Sequence, residues 1–90
     1  MSGVSRTVAV TNKRGLHARA SAKFVTLAAS LPATVEVEKD GAKVVGTSIM
    51  GLMMLGAAMG DTITISASGE GADAAVAALS ELVEARFHEE

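Results

Sequence analysis

The chain lacks cysteine, tryptophan and tyrosine, and Phe24 and Phe87 are its only aromatic residues. Without cysteine there is no disulfide framework and no thiolate metal site. The formal net charge is -2, with 8 Lys+Arg against 10 Asp+Glu. Nucleic-acid binders normally have a basic surplus and aromatic stacking residues, so this composition argues against that class. We therefore expect no nucleic-acid partner.

Long hydrophobic runs are also missing. The uncharged stretch 44–60 is broken by glycines and is shorter than the ~20 residues of a membrane helix. Residues 1–6 lack the apolar segment of a signal peptide. We expect a cytoplasmic protein that does not insert into membranes, with a single domain over 1–90 and a monomeric state.

Hydrophobic periodicity indicates an α+β fold. Apolar and polar residues alternate with period two in four segments, which predicts strands over 4–11, 34–39, 42–46 and 62–68. Helical periodicity predicts one helix from Ala18 that Pro32 ends, a short helix from Thr47 or Ser48, and a closing helix that includes Phe87. The order is βαββαβα. It predicts a four-stranded antiparallel sheet covered on one face by three helices.

His17 stands where the loop 12–15 turns into the first helix, and Arg19 follows two residues later. A neutral imidazole nitrogen is a nucleophile toward phosphorus, and the free N–H groups of a helix's first turn suit a phosphate dianion. Arg19 adds planar donors for phosphate oxygens. An isolated His/Arg pair is more often an ordinary surface pair, so these two residues alone only suggest a phosphoryl site. His88, near Glu89, is expected to have a surface role, and no metal or cofactor is predicted.

The run Gly15–Val25 (GLHARASAKFV) resembles the active-site segment of HPr, the histidine phosphocarrier family of the phosphoenolpyruvate-dependent phosphotransferase system. The run Ser48–Gly56 (SIMGLMMLG) resembles that family's regulatory-serine helix. The resemblance extends over almost the whole chain and implies the open-faced β-sandwich of HPr. It departs at Ala20, where the family usually has proline, and at Arg14, where a small polar residue is common.

The resemblance implies a function for each run. His17 would accept a phosphoryl group at Nδ1 from phosphorylated enzyme I and pass it to an EIIA-type protein, with Arg19 steadying the phosphate. Such a protein is a phosphoryl-transfer intermediate and not a self-sufficient enzyme. Its output would be sugar uptake, nitrogen and metabolic regulation, or both.

Ser48 matches the serine that HPr kinase/phosphorylase modifies, although an N-cap role also explains a serine there. The segment 49–55 is apolar nearly all round. We expect Leu52 and Leu55 in the core, and Ile49, Met50 and Met53 on a partner-binding surface; complete burial of the segment is the alternative. Two other functions stay open: a regulatory module of the same fold that acts through the Ser48 helix without obligatory phosphotransfer, and an unrelated small ligand-binding domain.

Overall fold

Four antiparallel strands form one sheet in a computed structural model that describes residues 3–89. The strands are β1 (Val4–Ala9), β2 (Thr34–Lys39), β3 (Ala42–Val45) and β4 (Thr62–Ser68), and they lie in the order β1-β4-β2-β3. The helices are α1 (Ala18–Ala29), α2 (Ile49–Met54) and α3 (Ala72–Glu84), and a 3₁₀ turn (Arg86–His88) follows α3. The predicted βαββαβα order is confirmed.

The core lies between one face of the sheet and the three helices. Val37 of β2 and Ile65 of β4 are fully buried, whereas Glu36 and Thr64 beside them are only half-buried. Phe24, Leu52 and Leu79 cover this apolar face, one from each helix. The period-two alternation therefore sorts the side chains as expected, with one face of the sheet packed against helices. Within residues 3–89, no helix is long and apolar enough to cross a bilayer.

The β2–β3 hairpin turns at Asp40 and Gly41. Both residues have positive φ, 51° and 86°, as the two central residues of a type I′ turn require. The Asp-Gly pair adopts this conformation readily, and the hairpin predicted from it is confirmed.

The first helix ends earlier than its periodicity predicts. Its last residue is Ala29, and Ser30 is the C-cap, whose N–H bonds back to Leu27 O. The periodicity that includes Leu31 runs past the end of the helix, whereas the prediction that Pro32 ends it holds, because the residue before a proline avoids the α conformation and the helix must stop ahead of it. Leu31 is consequently only half-buried.

The closing helix is also shorter than predicted. It ends at Glu84, and Arg86, Phe87 and His88 have φ of 58°, 54° and 60°. A left-handed conformation costs a residue with a side chain ~1–2 kcal/mol. Phe87 is nevertheless fully buried, and its carbonyl accepts a 2.6 Å hydrogen bond from Lys23 Nζ. The segment 85–89 is thereby folded back toward α1 and does not continue the helix.

Candidate functional site

The loop before α1 is held by hydrogen bonds on both sides. Leu16 donates its N–H to Ala57 O at 3.0 Å, and Asn12 Nδ2 donates to Gly15 O at 2.8 Å. Gly15 has φ +62°, and a Cβ there would lie 2.3 Å from Ala57 O. Only glycine fits this position, because it needs both a left-handed backbone and a close approach. The loop therefore reaches α1 along one defined path.

His17 is the N-cap of α1, and both of its ring nitrogens have partners. Nδ1 accepts from the N–H of Arg19 at 3.3 Å, and Nε2 lies 2.6 Å from Glu89 Oε2. An ionised carboxylate only accepts hydrogen bonds, so Nε2 is the protonated nitrogen. Nδ1 is then the unprotonated nitrogen, and its electron pair accepts the N–H of Arg19 in the first helical turn. The side chain is 16% exposed, enough for a partner to reach its edge.

Glu89 is a site residue that the sequence analysis missed. Its Oε1 accepts from Asn12 Nδ2 at 3.2 Å while Oε2 bonds to His17. Burial acts to raise the pKa of Glu89. The hydrogen bonds from His17 and Asn12, with electrostatic attraction to His17 and Lys23, outweigh burial and leave the pKa below its usual 4.5. Glu89 lies 72 positions from His17, and no local pattern links them; His88, by contrast, is exposed as predicted.

Basic side chains surround the imidazole. A shallow depression of about 460 Å³ is lined by His17 and Glu89 and by Lys13, Arg14, Arg19, Lys23 and His88. Four of these carry fixed positive charge in a chain whose net charge is -2, so the positive charge is concentrated here. Arg19 is placed as predicted, and Arg14 also lines the depression. Such a surface suits a phosphoryl dianion.

The short helix α2 presents an apolar surface of a different kind. Ser48 is its N-cap, and Ser48 Oγ accepts from the N–H of Gly51 at 3.0 Å. Leu52 and Leu55 are buried as predicted, and the complete burial of this segment is ruled out. The exposed side chains are Ile49 (40%), Met50 (71%) and Met53 (43%), joined by Met54 (80%), which periodicity did not single out. We call Ile49, Met50, Met53 and Met54 the α2 surface.

The fold and site together define a class of small α+β domain that presents one histidine at a helix N-terminus beside a basic depression. Residues 4–85 match the family model described as the phosphotransferase-system HPr component phosphorylation site. The chain belongs to this HPr family of phosphocarrier proteins.

Named relatives and solved structures agree with this assignment. Phosphocarrier protein NPr of Shewanella violacea is 42% identical over 99% of this chain and 98% of its own length. Phosphocarrier protein HPr of Cupriavidus necator is 42% identical over 96% and 97%. The crystal structure of an HPr from Thermoanaerobacter tengcongensis superposes with a TM-score of 0.90 at 43% identity, covering 100% of this chain and 99% of that one.

The similar structures differ in assembly. Crh of Bacillus subtilis is 41% identical, covers 92% of this chain and 95% of its own, and has a TM-score of 0.75. Its crystal structure is described as a domain-swapped dimer. The monomeric state expected for the present chain stays a prediction.

Proposed function

We propose that His17 accepts a phosphoryl group at Nδ1 from phosphorylated enzyme I and passes it to an EIIA-type protein. The observation that carries the proposal is the state of the ring: Nε2 is committed to Glu89, and Nδ1 faces the start of α1 among basic side chains. The two named relatives share the word phosphocarrier while differing in HPr or NPr. Both names support the carrier step, and neither decides between the sugar and the nitrogen-related branch.

The transfer needs no proton to enter or leave the carrier. The Nδ1 electron pair attacks phosphorus, an N–P bond forms, and the bond to the donor breaks with its electrons passing to the donor atom. The proton stays on Nε2, hydrogen-bonded to Glu89, so the phosphorylated ring carries a positive charge next to the carboxylate. The Arg19 N–H that Nδ1 releases, with the Arg19 guanidinium, becomes available to the phosphoryl oxygens. Delivery to an acceptor histidine is the same step in reverse. The N–P bond must therefore survive until an acceptor binds and still be weak enough for the phosphoryl group to be transferred.

An open site suits a carrier better than an enzyme that completes a reaction alone. The depression is shallow, so successive partners can reach the same nitrogen and supply the remaining groups. The α2 surface is the proposed docking region, with Ile49, Met50 and Met53 as its contacts, since flexible thioethers adapt to more than one partner. We infer a cytoplasmic location, where phosphoenolpyruvate-dependent donors operate.

The test is intact mass after incubation with phosphoenolpyruvate, magnesium and cognate enzyme I. Wild-type protein should gain one acid-labile phosphoryl group and lose it when EIIA is added. His17→Ala should gain none, and His88→Ala, which removes the other histidine, should still gain one acid-labile phosphoryl group. No gain in the wild type would reject the carrier function in favour of a regulatory module that binds without transfer.

Ser48 is proposed as a second, regulatory phosphorylation site for an HPr kinase/phosphorylase. Its side chain is half-buried at the edge of the α2 surface. A phosphate there would suit the helix N-terminus but place a dianion beside apolar docking contacts, which opposes association. Kinase and ATP should give an acid-stable phosphoryl group in the wild type and none in Ser48→Ala. Label that persists in Ser48→Ala would move the site elsewhere.

A further inference from the structure

We propose that Glu89 is a positioning residue for phosphoryl transfer, which holds His17 in the Nε2-protonated form and turns Nδ1 toward the first turn of α1. The contact itself is independent of the proposed function, and its effect on transfer rests on that function. Glu89 is not proposed to touch the phosphoryl group, because it bonds to the opposite edge of the ring from Nδ1.

Both oxygens of the carboxylate are engaged. Oε2 lies 2.6 Å from His17 Nε2, and Oε1 accepts from Asn12 Nδ2 at 3.2 Å. Asn12 is 2% exposed, and its amide also donates to Gly15 O. The amide thus ties the carboxylate to the same loop that positions His17. A hydrogen-bonded carboxylate of this kind fixes both the tautomer and the orientation of an imidazole.

The backbone that delivers Glu89 departs from ordinary preference. Arg86, Phe87 and His88 are all left-handed, although none is glycine. Burial of Phe87 and the Lys23 bond to its carbonyl hold this turn in place. Strained backbone that the surroundings over-determine is typical of functional sites. Here its result is one specific contact, since a continued α3 helix would carry residue 89 away along the helix axis.

The contact serves both states of the carrier. In the free protein it places the proton on Nε2, so the electron pair that attacks phosphorus is on Nδ1. In the phosphorylated protein Nδ1 carries the phosphoryl group and Nε2–H can keep the same acceptor. The imidazole ring does not have to flip between the two states, so each partner meets His17 in the same orientation.

The test joins a spectroscopic readout with kinetics on the full-length chain. Nitrogen-15 NMR of the neutral His17 ring should show the Nε2–H tautomer in the wild type. Glu89→Gln keeps the side-chain shape but replaces an obligatory acceptor with an amide that can also donate, so the ring resonances should move toward a mixture of tautomers. The control Glu84→Gln removes an exposed carboxylate from the end of α3 and should leave the His17 ring unchanged.

For kinetics, kcat/KM for transfer from enzyme I should fall about tenfold in Glu89→Gln, the lower end of the effect of carboxylates that orient metal-bound histidines. Wild-type ring signals in Glu89→Gln, or shifted signals with kcat/KM unchanged, would each overturn the positioning role. If the wild type accepts no phosphoryl group at all, the carrier proposal fails, and the NMR comparison still decides whether Glu89 sets the tautomer.

Discussion

The His17 loop and the α2 surface differ in the interactions that form them. Around His17, the ring, the loop and Glu89 are joined by directional hydrogen bonds that begin in different parts of the chain. The α2 surface is made of exposed side chains, mostly methionines with several rotatable bonds and soft thioethers. One region is fixed in geometry and charged, and the other is adaptable and apolar.

The difference follows from what each region has to do in the proposed function. Attack on phosphorus depends on the position and protonation of one nitrogen, so small displacements of His17 are costly. Docking to successive partners depends on apolar area that can repack, so no single α2 side chain has to hold one rotamer. Substitutions in the His17 loop should therefore change stability, and substitutions in the α2 surface should change KM.

The largest effect is expected from Gly15→Ala in the fixed region. The new Cβ would lie 2.3 Å from Ala57 O and 2.9 Å from Ala58 Cα, at φ +62°. Because the neighbours are backbone atoms, the loop must shift, at a cost of about 2–4 kcal/mol. Urea unfolding measures this cost. The matched control is Gly41→Ala, at φ +86° with no atom within 4 Å, which should lose only about 1 kcal/mol. Equal losses would show that the His17 loop is not sterically fixed.

A smaller effect, and one on binding alone, is expected from Met50→Lys in the α2 surface. Met50 is 71% exposed, so stability should change by less than about 0.5 kcal/mol. Placing a charge in an apolar contact should raise the KM of enzyme I for this carrier about tenfold and leave kcat nearly unchanged. Met50→Leu keeps the apolar area and should stay close to wild type. A fall in kcat with constant KM would contradict a docking role.

The smallest effect concerns acid stability in the fixed region. The pKa of Glu89 is lowered in the folded protein, so its contribution is present above the ordinary value of 4.5 and is lost as the pH falls through the lowered pKa. Between about pH 7 and about pH 3, the urea midpoint of Glu89→Gln should therefore fall slightly less than that of the wild type. Glu84→Gln is again the control. An unchanged acid limb in Glu89→Gln would show that the carboxylate is not stabilised as an anion by folding.

Much of the fold could be predicted from local pattern. The strands alternate because one face of the sheet is packed and the other is not, and Asp40-Gly41 marks the hairpin through its tolerance of positive φ. Helix ends were less predictable. The period of α3 leads on to Phe87, and periodicity alone cannot show that this phenylalanine reaches the core by a left-handed turn.

The candidate site divides in the same way. His17, Arg19 and Ser48 stand at helix starts, and helix starts have sequence signals of their own. Glu89 and Asn12 join the site only through folding, and their residue types are common on any surface. Met54 was missed for a simpler reason: in a helix apolar nearly all round, periodicity does not tell which side faces the solvent.

The sequence by itself determined the order of elements, the composition of the core and the two runs that resemble HPr, because each depends on neighbours within a few positions along the chain. The tertiary structure decided which nitrogen of His17 is left unprotonated, a property that no local pattern of the sequence encodes. That outcome depends on a carboxylate 72 positions away, delivered by a turn whose backbone is unfavourable by itself and is stabilised by the burial of Phe87. Local preference encodes the elements, whereas the protonation of the histidine is set by a long-range contact that exists only when the whole core has packed.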